Sequence, residues 1–181
     1  MFADGCTIYF AIRKRVQQDV DGPWRALSRG DQRKIDEVVR LWEGAAEQEH
    51  AGAQYNLGVM YDQGHGVKQD YSKAREWYEK AAKQENAEAQ CNLGIMYDQG
   101  HGVKQDYSKA REWWEKAAKQ DHAEAQHLLG DMYFQGEGVK QDFSKARKWL
   151  EKAAKQEHAD AQYNLGAMYY QGQGVKQDYS K

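Results

Sequence analysis

Apolar residues follow a helical spacing along most of this chain. Within residues 71–82 they fall at the i, i+3, i+4, i+7 positions of one helix face. These positions are Tyr71, Ala74, Trp77, Tyr78, Ala81 and Ala82. Residues 51–63 are rich in alanine, with Leu57, Met60 and Tyr61 on one side, and Gly64 follows, where a left-handed residue can end a helix. The pattern therefore predicts a hairpin of two helices, A over about 51–63 and B from Tyr71, joined by a tight turn.

The 36-residue pattern of this hairpin occurs three times in succession and begins a fourth time. The repeats are residues 51–86, 87–122, 123–158 and 159–181, the last ending within its helix B. Residues 31–50 align with helix B and form an orphan capping helix, and residues 1–30 are an N-terminal segment that either caps the array or is disordered. Repeats of this length cannot bury their apolar faces alone, so they stack. The sequence therefore predicts an all-α fold, an α-solenoid of stacked antiparallel helix pairs.

Short signals place the helix ends and the outer face. Asp70 precedes helix B as an N-cap, and Asp106, Asp142 and Asp178 repeat it. Gly58 lies inside helix A at a cost of about 1 kcal/mol relative to alanine, and Gly94, Gly130 and Gly166 repeat it. A glycine kept there indicates close helix packing. On the outer face of helix B, the spacing predicts ion pairs of Glu76 with Lys80 and of Glu79 with Lys83.

The segment AQYNLGVMYDQGHGV followed by DYSKAREWYEKAA resembles the Sel1-like repeat, a relative of the tetratricopeptide repeat, from about Ile35 to the C-terminus. The resemblance implies a right-handed superhelix that holds other proteins or peptides, with helix A lining the concave wall. It also makes bacterial signalling, envelope assembly or host-cell contact plausible settings. The chain departs from the family at Lys68, where proline is common, and at Glu85, where glycine is common.

Composition excludes several classes of protein. The chain is 40% hydrophobic and 30% charged, and it has no apolar run of the roughly 18 residues that a membrane span needs. A net charge of -2 with interspersed signs argues against a nucleic-acid partner. Two cysteines, Cys6 and Cys91, make no disulfide framework. No signal peptide is evident, so the cytoplasm is the expected location, with the periplasm and secretion left open.

Differences between the repeats predict a binding face. Numbered from the first alanine of each repeat, helix A is identical at positions 3, 4, 7, 8, 10 and 11 and differs at 2, 5, 6, 9 and 12. The variable positions span an arc of about 120°, rich in aromatic and aliphatic residues, as at interaction sites. The predicted partner-binding residues are Tyr55, Asn56, Val59, Asp62, Cys91, Asn92, Ile95, Asp98, His127, Leu128, Asp131, Phe134, Tyr163, Asn164, Ala167 and Tyr170. Packing of some of them against neighbouring helices is the alternative.

Nothing in the sequence points to catalysis, a cofactor or a metal. No nucleophile, base and orienting group recur together, and the GxG of each loop lacks the strand and third glycine of a dinucleotide site. Equivalent histidines of successive repeats should lie about 10 Å apart, too far for one ion. We therefore expect a non-enzymatic scaffold for a protein or peptide. The alternative is a structural module that self-associates through the edge of the unfinished fourth repeat.

Overall fold

The computed structural model of the chain describes residues 32–174, and within this range all regular structure is helical. Its helices are α1 (Gln32–Glu47), α2 (Ala51–Gln63), α3 (Tyr71–Lys83), α4 (Ala87–Gln99), α5 (Tyr107–Lys119), α6 (Ala123–Gln135), α7 (Phe143–Lys155) and α8 (Ala159–Gln171). The predicted all-α class is therefore confirmed. Helices α2, α4, α6 and α8 are the A helices of the repeats, and α3, α5 and α7 are the B helices.

The chain divides into two units at Leu41–Trp42, inside α1. Of the first unit, residues 32–41 of α1 are described, with an exposed pair between Arg40 Nη2 and Glu37 Oε1 at 2.8 Å. The second unit contains the repeats, and the following paragraphs concern its described part, residues 42–174. There α2, α4 and α6 each pack on the B helix of their own repeat, and α3, α5 and α7 each pack on the A helix of the next repeat.

Glycine inside helix A lets the two helices of a repeat approach closely. A Cβ atom on Gly58 would lie 2.4 Å from Tyr78 Cδ1, and one on Gly94 would lie 2.3 Å from Trp114 Cδ1. At Gly130 the nearest atom would be Leu150 Cγ, at 2.7 Å. These distances confirm the predicted close packing at three of the four positions. The helix B that Gly166 would face lies outside the described residues, so the prediction is not tested there.

Side chains cap the start of both helix types. Asp70, Asp106 and Asp142 accept backbone N–H bonds at the B helices, as predicted, whereas Asp178 lies outside the described residues. The A helices are capped by residues that the sequence did not single out for this role. In each case the side chain of the N-cap residue accepts a hydrogen bond from the backbone N–H three residues later, through Nδ1 of a histidine or Oδ1 of an asparagine. The four N-cap residues are His50, Asn86, His122 and His158. The shared feature is a side-chain acceptor at the first turn.

The turn between repeats places an acidic residue in the left-handed region. Glu85 has a φ of 61°, and its equivalents Glu49, Asp121 and Glu157 have φ of 62°, 59° and 62°. The Glu85 N–H donates to Ala82 O at 3.1 Å, and the next N–H, of Asn86, donates to Ala81 O at 3.2 Å. This is the Schellman arrangement, which glycine normally serves. Glu85 therefore adopts a turn geometry that glycine normally serves, despite its side chain.

Buried glutamines connect successive repeats. Gln90 donates through Nε2 to Ala82 O of the preceding B helix at 3.2 Å, and its Oε1 accepts from Gln120 Nε2 at 2.9 Å. The same pair of bonds recurs at Gln54 and at Gln126. A buried amide that lacks partners costs about 1–3 kcal/mol, so these bonds favour one register between repeats.

The outer face of the B helices differs from the predicted ion pairing. Glu79 lies 3.5 Å from Arg75 Nε, one turn before it, instead of pairing with Lys83. Lys80 lies over the Trp77 ring at 4.0 Å, and the equivalent lysines of α5 and α7 do the same. The tryptophan faces attract the ammonium groups, which explains why Lys80 does not pair with Glu76.

Candidate partner-binding face

The identical positions of the A helices form their packed side. Ala53, Leu57 and Met60 are buried, as are their equivalents in α4 and α6. These positions face the B helices and the hydrophobic clusters between them. The variable positions must therefore account for any surface that the A helices offer to a partner.

The expectation of an exposed stripe is wrong at three of the predicted residues. Val59, Cys91 and His127 are 1%, 2% and 0% exposed. Cys91 and His127 are at position 5 of their repeats, where Tyr55 is half-buried and Tyr163 is 74% exposed. Position 5 is thus mainly a packing position between neighbouring repeats, which agrees with the alternative expectation that some of these residues pack against neighbouring helices.

Position 5 of one repeat is matched to position 6 of the next. Asn92 lies beside the Tyr55 side chain, and burial followed by the charge of Glu88 raises the pKa of Tyr55 to about 12. His127 Nε2 lies 3.2 Å from Asn164 Nδ2. Between these polar pairs, Leu128 packs on the apolar cluster that contains Cys91. Variation at these two positions therefore reflects complementary contacts between repeats, and the Asn164 amide is used there rather than left for a peptide.

Positions 9 and 12 retain an accessible surface. We call this set the accessible stripe, and its residues are Asp62, Ile95, Asp98, Asp131, Phe134, Ala167 and Tyr170. Tyr170 is 65% exposed and the others are half-buried. Phe134 makes an edge contact with Phe143 at 5.4 Å between ring centroids, which holds its ring in place. The stripe thus combines partly exposed apolar groups with carboxylates.

Charge is segregated between the two kinds of helix. The A helices α2, α4, α6 and α8 contain no lysine or arginine. Their charged residues are all acidic: Asp62, Glu88, Asp98, Glu124, Asp131 and Asp160. The B helices α3, α5 and α7 each carry four or five basic residues and one or two acidic ones. The near-zero net charge of the chain therefore conceals an acidic layer of A helices.

Asp98 is a carboxyl group of the accessible stripe with a strongly raised pKa. Burial, with the charge of Glu137 nearby, raises the pKa of Asp98 to about 6. No ion pair to its carboxylate is found among residues 32–174. A half-buried carboxylate without a cation is destabilising when it is ionised. Such a group is retained at interaction sites more readily than in a purely structural face.

None of the described helices has the length and apolar character needed to cross a membrane. The described range also contains the other exposed large hydrophobic residues, Leu41 in α1 and Tyr163 in α8, at 58% and 74% exposure.

A known protein family shares this repeat architecture. The Sel1 repeat family matches residues 51–86, 87–122, 123–158 and 159–181. The chain belongs to the Sel1 repeat family. Proteins of this family are generally scaffolds for protein–protein interaction. The resemblance inferred from the repeat motif is thus confirmed, and so is the solenoid class.

Solved structures with the same fold come from bacteria. A protective antigen of uropathogenic Escherichia coli with an SLR fold is 44% identical, with a TM-score of 0.73 over 75% of this chain and 29% of that one. A Sel1 repeat protein from Oxalobacter formigenes is 38% identical, with a TM-score of 0.68 over 72% of this chain and 52% of that one. Cysteine-rich protein B of Helicobacter pylori, 22% identical with a TM-score of 0.59 over 74% of this chain and 96% of that one, shares the fold.

The chain thus spans less than a third of the E. coli antigen and about half of the Oxalobacter protein. No curated protein matches it.

Proposed function

We propose that this Sel1 repeat array is a non-enzymatic scaffold that binds a segment of another protein along the accessible stripe of its A helices. The segment carries lysine or arginine among apolar residues. The observation that supports this proposal is the combination, on the A helices, of carboxylates and partly exposed apolar groups with no basic residue.

Asp98 is the expected polar anchor of the partner. At neutral pH its carboxylate is ionised although it is half-buried, because its raised pKa of about 6 is still below 7. A guanidinium or ammonium group from a partner would offset that cost and form a charge-assisted bond, worth about 1.5–3 kcal/mol. Such a bond corresponds to roughly a tenfold to hundredfold change in affinity.

Phe134 and Ile95 supply the apolar part of the contact. Both are half-buried, so a partner removes only the remaining exposed area from water, at about 25 cal/mol per Å². Phe134 is already held against Phe143, so little side-chain entropy is lost when it binds.

The test uses random peptides displayed on phage and selected against the intact chain. We expect the selected peptides to be enriched in lysine and arginine beside aromatic or aliphatic residues. Selection of acidic peptides, or of sequences without charge bias, would contradict the proposed charge complementarity. One selected peptide is then synthesised for affinity measurements by fluorescence anisotropy.

A matched pair of variants locates the binding. Asp98→Asn removes a charge from the accessible stripe, and Glu112→Gln removes one from the exposed face of α5. Asp98→Asn should weaken peptide binding at least tenfold at physiological salt. Glu112→Gln should change it less than twofold, because exposed charges are screened. Equal effects of the two variants would show that binding responds to net charge and not to this face.

A further inference from the structure

Three metal-ligating side chains converge where the third repeat meets the fourth. Glu124 and His127 lie in α6, and His158 is the N-cap of α8. His158 Nε2 lies 2.8 Å from Glu124 Oε2, and the rings of His127 and His158 stack with centroids 4.8 Å apart. One ligand atom from each of the three residues lies within 4.8 Å of the other two.

Two atoms of this cluster are buried without a hydrogen-bond partner. They are Nδ1 of His127 and Oε1 of Glu124. His127 is fully buried, and its other nitrogen, Nε2, already faces Asp131 and Asn164 at 3.4 and 3.2 Å. The nitrogen left to bind something is therefore Nδ1. Buried polar atoms are seldom left unpaired in native proteins, so His127 and Glu124 each keep an atom that a ligand could satisfy.

The surroundings of His127 are those of a metal ligand. Asn164 Nδ2, which can only donate, lies 3.2 Å from His127 Nε2, so in the neutral tautomer Nε2 accepts and the proton is on Nδ1. On metal binding that proton moves to Nε2, which then donates toward the Asp131 carboxylate 3.4 Å away, and Nδ1 is left to take the metal. A ligating histidine commonly donates its second nitrogen to a carboxylate in this way. Asn164 Nδ2 in turn donates to Asp131 Oδ1 at 2.8 Å, which fixes the orientation of that carboxylate.

We propose that Glu124, His127 and His158 bind one zinc ion through a carboxylate oxygen and two imidazole nitrogens. Two histidines and a glutamate are a ligand set that zinc accepts, with the fourth position left for water or a partner group. Nitrogen and carboxylate ligands also suit zinc better than magnesium or calcium, which prefer oxygen alone.

Zinc binding requires a local rearrangement at His158. Ligands about 2.0–2.2 Å from a tetrahedral ion lie about 3.4 Å from one another, closer than the 4.8 Å limit found here. His158 Nδ1 now accepts the Ala161 N–H at 3.3 Å, so its proton is on Nε2, directed at Glu124. On binding, that proton moves to Nδ1, Nε2 takes the metal, and the ring rotates out of the stack. No net proton is released from His158, and the capping bond to Ala161 is given up.

Equivalent histidines of successive repeats should lie too far apart to share one ion. The cluster uses non-equivalent positions instead: 2 and 5 of helix A and the last residue of the same repeat. In the first repeat these positions hold Gly52, Tyr55 and Asn86, which do not ligate zinc but support the same helices. The chain thus contains its own ligand-free counterpart.

The first experiment is calorimetric titration of the full chain, stripped of metal by a chelator, with zinc chloride. The intact chain should bind one zinc ion per chain. His158→Asn copies the cap at Asn86, and Glu124→Gln keeps an oxygen to accept from His158, so both variants should fold, as circular dichroism will show. Each should weaken zinc binding at least tenfold. His50→Asn makes the same cap change at a histidine outside the cluster and should leave the affinity unchanged.

A second readout follows from the rearrangement. Zinc should shift the backbone amide resonance of Ala161, because its bond to His158 is lost, while the equivalent amide of Ala53 stays in place. The proposal is overturned if the intact chain takes up no zinc in the titration, or if His158→Asn and His50→Asn bind zinc equally. Equal binding would mean that scattered surface histidines hold the ion.

Discussion

Replacing equivalent glycines by alanine should have opposite effects in different repeats. A Cβ atom at Gly94 would lie 2.3 Å from both Cδ1 and Nε1 of Trp114, which is 3% exposed and cannot move outward freely. The shift would also disturb the bond from Trp114 Nε1 to Cys91 O at 3.2 Å. At Gly166 the added Cβ would meet none of the described residues within 4 Å.

The magnitudes separate the two variants clearly. Gly94→Ala gains about 1 kcal/mol of helix propensity but costs about 1–3 kcal/mol for overpacking and about 1 kcal/mol for the weakened hydrogen bond. The net expectation is a loss of about 1–3 kcal/mol. Gly166→Ala has only the propensity gain of about 0.5–1 kcal/mol.

Urea unfolding followed by far-ultraviolet circular dichroism measures both changes as shifts of the midpoint. The midpoint should fall for Gly94→Ala and rise or stay level for Gly166→Ala. Gly130→Ala, which faces the more adaptable Leu150 at 2.7 Å, should fall between them. If Gly94→Ala stabilises the array as much as Gly166→Ala does, the close approach of helices A and B is not as described.

Three further predictions concern the turn, the glutamine bonds and Asp98. Glu85→Gly should raise the free energy of unfolding by about 0.5–1 kcal/mol. The substitution removes the cost of about 1–2 kcal/mol for a glutamate in the left-handed backbone conformation, which exceeds the entropy cost of glycine. Gln90→Leu should lower the free energy of unfolding by about 1–3 kcal/mol, since Ala82 O and Gln120 lose their hydrogen-bond partner. An unchanged free energy of urea unfolding would show that the glutamine bonds do not stabilise the contact between repeats. The pKa of Asp98 is about 6 in the folded chain, against 3.8 for an ordinary aspartate. The folded state therefore binds the proton more tightly than the unfolded state. The resulting contribution to the free energy of unfolding is complete below pH 3.8 and is lost as the pH rises through 6. Asp98→Asn should therefore stabilise the chain by about 1–3 kcal/mol at pH 8 and by nearly nothing at pH 3.5, and a pH-independent effect in urea unfolding would refute this cause.

Local signals in the sequence were sufficient for the helices and their packing. The aspartate before each B helix predicts its cap, because the first-turn amides need an acceptor. Gly58 predicts the close approach to helix B, because a helix-interior glycine is otherwise unfavourable. A signal for the caps of the A helices was also present. The residue before each A helix is a histidine or an asparagine, and the side chains of both can accept a hydrogen bond there.

The binding face was only partly predictable, because variation between repeats has two causes. A position varies if it faces a variable partner, and it also varies if two neighbouring repeats change together. Tyr55 with Asn92 and His127 with Asn164 are of the second kind. Sequence periodicity within one helix cannot separate these causes, since the contact joins residues some 37 positions apart in different repeats. The raised pKa of Asp98 was also beyond the sequence, because it depends on burial.

The most direct test of the proposed function is a photo-crosslinking map of the bound peptide. A benzoylphenylalanine is placed either at Ile95, on the accessible stripe, or at Trp113, on the outer face of α5 under Lys116. The selected peptide should crosslink from position 95 and not from position 113, as mass spectrometry will show. Crosslinking from position 113 without crosslinking from position 95 would place the partner on the B helices and contradict the account.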